Sequence, residues 1–525
     1  MKTAKMSIHG LAKSFSPLTR VRLRGGHSTL LIGSCILALL LCLQSFNSAI
    51  TFAQAPDRSK PPELGPPPSL KLQPIQHLVL SNGLPVVLME KHDLPLVEIE
   101  LQVKAGSAMD PSDKSGLASI TAAMMEEGAG TRSALELADA IDFLGANISA
   151  FAGQHTSTVR LHTPLSKLDS ALALFADVAM RPTFPKEELE RQRKERLTTL
   201  LQWHDEPRSI ASVLFSRTLF GEKHPYGKPT IGNEKTLRTF KVDDLKKFHS
   251  TYFKSNNATL IVVGDVTPSN IVSKLEAHFG TWKAGTIPSV SWSTVKQIED
   301  RRVYLTDKPG AAQSEIRIGC IGVERMTGDY FPLLVMNTIL GGSFTSRLNQ
   351  NLREQHGYAY GASSRFDFRP LPGPFIAAAA VQTAVTDKSL IEFMKELNGI
   401  LQPVTDDELT RAKNYLALGY PDNFQTIGQI AGQLSELVVY NLPDEYFNNY
   451  IQQVNAVTKE DVQRVAQKYF DPEKVAIIVV GDRKQIEKGV SGLKLGPMKH
   501  LTITDVLGKA PKVQEDRRLE NNNIF

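Results

Sequence analysis

TYFKSNNATLIVVGD at residues 251–265 recurs as KYFDPEKVAIIVVGD at 468–482, without a gap, at an offset of 217 residues. Each copy reads as the end of a helix, a Tyr-Phe pair, a short turn and an apolar β-branched strand. The segments just upstream match as well, KVDDLKKFH at 241–249 against TKEDVQRVA at 458–466. Solenoid repeats run to about 20–50 residues, so this period is too long for one. It describes two homologous domains, each long enough for a core of its own.

Upstream of the first copy, HLVLSNGLPVVLME (77–90) places two β-rich runs around Asn82-Gly83, a hairpin signal. LVEIELQVKAGS (96–107) alternates as a further strand, and SALELADAIDFLG, LDSALALFADVAM and PKEELERQRKERLTTLLQW carry helical patterns. The expected fold is α+β: two homologous domains, each a mainly antiparallel β-sheet packed with α-helices. The expected boundaries are a signal peptide or membrane anchor over 1–55 and a proline-rich linker over 56–74. A first domain over 75–285, a connector over 286–299, a second domain over 300–495 and a loose polar tail over 496–525 follow.

The formal charge of +5 has a local source. Lys2, Lys5, Lys13, Arg20, Arg22 and Arg24 precede any acid, and without them the chain is close to neutral, which excludes a nucleic-acid footprint. An uncharged run follows, TLLIGSCILALLLCL at 29–43, and then Ala53-Gln54-Ala55. Basic start, apolar core and small residues resemble a secretory signal, although Pro56 hinders cutting after Ala55 and favours Ala53. The alternative is membrane attachment through residues 29–43; on either reading the body is exported, periplasmic or anchored facing the periplasm. Cys320 is the one cysteine outside that segment, so there is no disulfide framework and the thiol is expected buried and inert.

Three further stretches carry a resemblance: GLASITAAMMEEG (116–128), HPYGKPTIGNEKTL (224–237) and LGGSFTSRLNQNLREQHGYAYGASS (340–364). With the repeat and the opening LSNGLPVVL, they resemble the pitrilysin/insulinase metallopeptidases, over about residues 75–490, in the branch that includes the mitochondrial processing peptidase. Active members of that family carry H-x-x-E-H on a helix of the first domain. His at i and i+4 share one helical face and converge on Zn²⁺, and the Glu acts as base toward the bound water. The family pattern G-L-A-H-x-x-E-H-M maps here without a gap, placing Ser119, Ala122 and Ala123 at the three positions. The family's third ligand stands six residues before the Asp of a D-x-P turn; here the turn is Asp205-Glu206-Pro207 and the position is Thr199. No cofactor is therefore expected in this chain. No i,i+4 histidine pair with a nearby carboxylate remains to rebuild a metal site. His155 and His162 are expected on opposite faces of one strand, and Glu126 and Glu127 solvated or capping the loop after the helix.

The second domain keeps its pattern. On the residues alone, Arg353 pairs with Glu354 and Tyr360 packs at a strand start. The resemblance implies instead that Arg353 and Tyr360 grip substrate backbone and supply oxyanion donors across an enclosed chamber. Gly341-Gly342 lacks the Gly-Lys-Ser/Thr of a phosphate loop, and reads as a close backbone approach or a mobile loop. Phe344, Tyr358 and Phe366 are expected in the core or lining the chamber. The resemblance thus implies a substrate-binding subunit that handles extended peptides and pairs with a homologous zinc-bearing peptidase subunit holding the Zn²⁺. The alternative is a non-proteolytic structural or peptide-holding homologue, like the core subunits this fold supplies to respiratory complexes.

Overall fold

The computed structural model describes residues 70–513, so the expected signal or anchor segment and most of the proline-rich linker lie outside the described residues. The main sheet of the first repeat has six strands: β1 (Gln76–Val79), β2 (Pro85–Glu90), β3 (Leu96–Val103), β4 (Asn147–Ala152), β5 (Ser157–Pro164) and β6 (Ala258–Gly264). Six come from the second: β7 (Arg302–Asp307), β8 (Gln313–Ile321), β9 (Ala359–Phe366), β10 (Pro374–Gln382), β11 (Ala476–Gly481) and β12 (Met498–Leu501). The first sheet has the order β1-β2-β6-β3-β5-β4 and the second β9-β10-β8-β11-β7-β12. Apart from one outer strand in each, the two orders are the same topology.

The internal repeat extends well beyond the two quoted copies. Strands β2, β3 and β5 begin at Pro85, Leu96 and Ser157, and β7, β8 and β10 begin 217 residues later at Arg302, Gln313 and Pro374. In both sheets the repeat strand, β6 or β11, is antiparallel to one neighbour and parallel to the other. The remaining pairs are antiparallel except β12 with β7. The helices before the repeat strands are capped alike: Asp244 accepts from the Lys241 N–H at 2.9 Å, and Asp461 from the Thr458 N–H at 3.2 Å.

Four helices position the rest: α1 (Leu117–Met125), α2 (Lys186–Trp203), α3 (Pro207–Phe220) and α4 (Ile427–Tyr440). Both faces of β6 and of β11 are buried, and the covering helix comes from the other half of the chain. Ile210, Leu214 and Phe215 of α3 pack with Ile376, Ile478 and Val480 of the second sheet. Ile430, Ala431 and Leu434 of α4 share a core with Val87, Met89, Ile261 and Val263 of the first. The fit is close at Gly319 in β8, where an added Cβ would lie 2.8 Å from the Phe215 ring. The two halves therefore form one compact unit rather than two separable bodies.

This exchange explains a strand that the sequence presents as half-polar. Glu98, Glu100 and Gln102 of β3 share one face, and all three are buried. Arg160 pairs with Glu100 at 2.6 Å, and His162 lies 2.7 Å from Glu98. Ser435 of α4 donates to Glu100 at 3.0 Å and accepts from Gln102 at 2.8 Å. The opposite half covers the polar face through Ser435, and the charges are satisfied by Arg160 and His162 of the neighbouring strand β5.

Two expectations are corrected. His155 precedes β5 and lies 2.5 Å from the Tyr226 hydroxyl, so the two-face argument for His155 and His162 does not apply. Part of the stretch after residue 495, expected as a loose tail, has secondary structure. β12 joins the second sheet, a short helix follows at Ile503–Leu507 with Val506 buried, and Arg217 of α3 donates to the Val506 and Asp505 carbonyls. A five-residue helix and a four-residue strand are too short to give the sequence a periodicity to read.

Interlocking makes a joint unfolding transition the expected behaviour. Phe215→Ala should cost about 3–5 kcal/mol and lower one shared thermal transition, followed by calorimetry. Two separate transitions, with only one responding, would contradict the exchange.

Candidate functional site

Helix α1 begins at Gly116, whose φ is +96° and where an added Cβ would lie 2.6 Å from the Ile231 carbonyl oxygen. The HPYGKPTIGNEKTL segment thus packs directly beneath the start of the helix. Asp110 caps it, accepting from the Gly116 and Ala118 N–H groups at 2.7 and 2.8 Å. Burial pushes the Asp110 carboxyl up to about 7 despite those donors.

Ser119, Ala122, Ala123 and Glu126 fall at i, i+3, i+4 and i+7, on one face of α1. Opposite stands α2, which presents Gln192, Arg196 and Thr199 at the same helical spacing. Arg196 Nη1 donates to Ser119 Oγ and Nη2 to the Ser119 carbonyl, each at 3.0 Å. Its Nε is buried without a partner, and burial pulls its pKa down to about 10. Thr199 points back into its own helix, donating to the Glu195 carbonyl at 3.1 Å. Ser119, Ala122, Ala123 and Thr199 supply no imidazole and no carboxylate, so this donor set does not fit zinc. Among the described residues no group of three His, Cys, Asp or Glu could hold a metal ion.

Glu126 and Glu127 are not solvated. Glu126 accepts the Ala150 N–H of the edge strand β4 at 2.5 Å, and burial pushes its carboxyl up to about 7. Glu127 pairs with Arg191 and accepts from Gln192 at 2.9 Å. The degenerate face is thus flanked by α2 on one side and a sheet edge on the other.

The second-half residues form a separate cluster. Arg353 lies in a π-helical segment, Gln350–Gln355, and Tyr360 on the edge strand β9. The register of β9 against β10 shifts between Ala359 and Ala362, and this bulge leaves Tyr360 86% exposed. The Arg353 guanidinium sits 5.1 Å from the Tyr360 ring centroid and 4.6 Å from that of Phe344, with its Nε 3.3 Å from Glu354. The arginine pairs with Glu354 as the residues suggested, but the tyrosine is presented to solvent rather than packed. Phe344 is exposed with it, Phe366 is buried, and Tyr358 stacks on His356 at 4.9 Å. Gly341 and Gly342 end a π-helical turn, Thr338–Gly342, rather than forming a loop. A Cβ on Gly341 would fall 2.3 Å from the Ser364 amide nitrogen, so the glycine serves a close backbone approach.

Among the described residues, no hydrogen bond, ion pair or ring contact joins Arg353 or Tyr360 to Ser119, Ala122, Ala123 or Thr199. A cavity of about 490 Å³ beside Trp203, His204, Arg217 and Lys228 shares no residue with either cluster. Cys320 is buried, and burial pushes its thiol up to about 12. Beyond the helical spacing of Gln192, Arg196 and Thr199 on one face of α2, the sequence gives no sign of the Arg196–Ser119 contact or of the Glu126 bond to Ala150.

The raised carboxyls have a stability consequence. Glu126 and Asp110 hold their protons to higher pH in the folded chain than in the unfolded one. Their stabilising share is full below the usual carboxylate range and is lost as pH rises toward 7. Glu126→Gln keeps the acceptor for Ala150 and cannot ionise. Urea melts at pH 5 and 7.5 should show wild type losing about 1–3 kcal/mol more than the variant across that window; equal losses would contradict the assignment.

The comparisons with known proteins agree with this geometry. The family model "Insulinase (Peptidase family M16)" matches residues 85–234, and "Peptidase M16 inactive domain" matches residues 239–416. The chain is 24% identical over 401 residues to a Bacillus subtilis (strain 168) protein named as the uncharacterized zinc protease YmxG, covering 75% of this chain and 96% of that one. It is 22% identical over 425 residues to a Helicobacter pylori protein named as the non-peptidase homolog YmxG, covering 79% and 96%. A solved M16 inactive-domain structure from Pseudomonas fluorescens superposes with a TM-score of 0.73 at 26% identity, covering 78% of this chain and 98% of that one. The two six-stranded sheets, their reciprocal helices and both family models make this chain a member of the M16 insulinase family, one whose own zinc motif is lost.

Proposed function

We propose that this chain is the non-zinc, substrate-binding subunit of a two-subunit zinc peptidase. It binds extended peptides and supplies Arg353 and Tyr360 to an active site whose Zn²⁺ is held by a homologous partner subunit. The observation that carries the reading is the asymmetry between the halves. The first-half helix has Ser119, Ala122 and Ala123 where metal and base would be needed. The second half presents an exposed tyrosine on a bulged edge strand beneath an arginine. A guanidinium and a phenol are directional donors suited to charge that develops on a substrate oxygen. Extended peptides are bound at free sheet edges through backbone hydrogen bonds, which gives broad specificity. Strands β4 and β9 are outer strands of their sheets.

The proposed location is outside the cytoplasm, in or facing the periplasm, on the strength of the basic, apolar and small-residue succession before residue 56. Among the described residues no helix is long and apolar enough to cross a membrane.

The test is co-expression with a zinc-bearing homologue and a peptide-cleavage assay on the purified complex. Arg353→Ala and Tyr360→Phe should each lower kcat by about 10²–10³ while the complex still assembles. Full activity in both variants would remove the catalytic-support role and leave a structural or peptide-holding homologue.

A further inference from the structure

The face that has lost its metal ligands has gained a fixed cation. Arg196 reaches from α2 to Ser119 on α1, one helical turn before the Thr199 position. Zinc would tie these same two helices together; here a guanidinium does. Ser119 supplies only a hydroxyl and a carbonyl oxygen, neither of which carries charge. Glu195, the carboxylate whose field acts on Arg196, is bonded to Arg191 at 2.7 Å. A half-buried guanidinium without a counter-charge is costly, and one of its donors, Nε, is buried without an acceptor. Two of its five N–H groups are used and the one on Nε is buried, which leaves one N–H on each Nη for a further acceptor.

A second observation lies on the same helix face. Glu126, two turns from Ser119, places a carboxylate oxygen on the Ala150 N–H of the edge strand β4. That is the place of the carbonyl oxygen of an added strand, occupied by the chain's own side chain. Between the two polar ends lie only Ala122 and Ala123, and Ala123 is partly exposed.

We infer that Arg196 anchors a carboxylate-binding subsite for a peptide that pairs with β4 in place of Glu126. The carboxylate is either the peptide's C-terminus or an Asp or Glu side chain. Both match the planar fork of a guanidinium and provide the missing counter-charge. The subsite holds peptide without cleaving it. The inference rests on the peptide-binding part of the proposed function and assigns that binding a chemical requirement.

Fluorescence anisotropy on the full chain tests it without depending on any protein variant. The probes are an unstructured peptide with an N-terminal fluorophore and one internal Glu, its C-terminal amide, and the amide with Glu replaced by Gln. Removing the carboxylates stepwise should weaken binding to wild type by about 10-fold or more at one of the two steps, and the step that does so identifies the source. Arg196→Gln should bind all three peptides as wild type binds the carboxylate-free one. Arg196→Lys, which keeps the charge but loses the fork, should fall between. Equal binding of all three peptides to wild type overturns the subsite and leaves peptide binding standing. No binding of any of them overturns the peptide-binding function, and the subsite with it.

Discussion

Helix exchange between the halves is the constraint on which the remaining features depend. An α/β layer buries one face of its sheet under its own helices and must cover the other. Here α3 covers the second sheet and α4 the first, and this is why β6 and β11 are buried along their whole length. The same exchange leaves room for buried charge. Glu98, Glu100 and Gln102 would be ordinary solvent-facing residues in an isolated sheet, but under α4 they need Arg160, His162 and Ser435. Breaking one partner would leave a buried carboxylate unpaired, which costs more than the pair itself contributes.

With the sheets locked, their outer strands become the variable parts. In the first half the edge β4 is capped at Ala150 by Glu126; in the second, β9 is capped at Ala362 by Asn349 at 3.2 Å. Each half thus places a helical side chain on an alanine N–H of its exposed edge, which protects the edge from unplanned pairing. The chemistry around the two edges has diverged. One faces small residues and a buried arginine, and the other carries a bulge, an exposed tyrosine and a stacked guanidinium. A single duplicated scaffold so produces two chemically different edges.

Much of this was legible in the sequence because it is periodic or local. The 217-residue offset, the Asn82-Gly83 hairpin and the frame around Ser119, Ala122 and Ala123 can be read residue by residue. The exchange of α3 and α4 could not be, because an amphipathic helix does not state which sheet it covers. The polar face of β3 and the strand β12 were misleading for the same reason: Ser435, which covers the one, and β7, which pairs with the other, lie far away along the chain. Arg196 was hidden in a run of charges, where a helical face bonded to Ser119 looks no different from a solvated one. The exposure of Tyr360 depends on a bulge, which a strand pattern does not record.

On the proposed reading this chain has no hydrolytic centre of its own, and a zinc-bearing partner completes its chemistry. Peptidase assay of the purified chain alone, on unstructured peptides with added Zn²⁺ and then with chelator, tests it most directly. The expected result is no chelator-sensitive cleavage at any zinc concentration. Turnover that appears with zinc and disappears with chelator, in the absence of any partner, would contradict it.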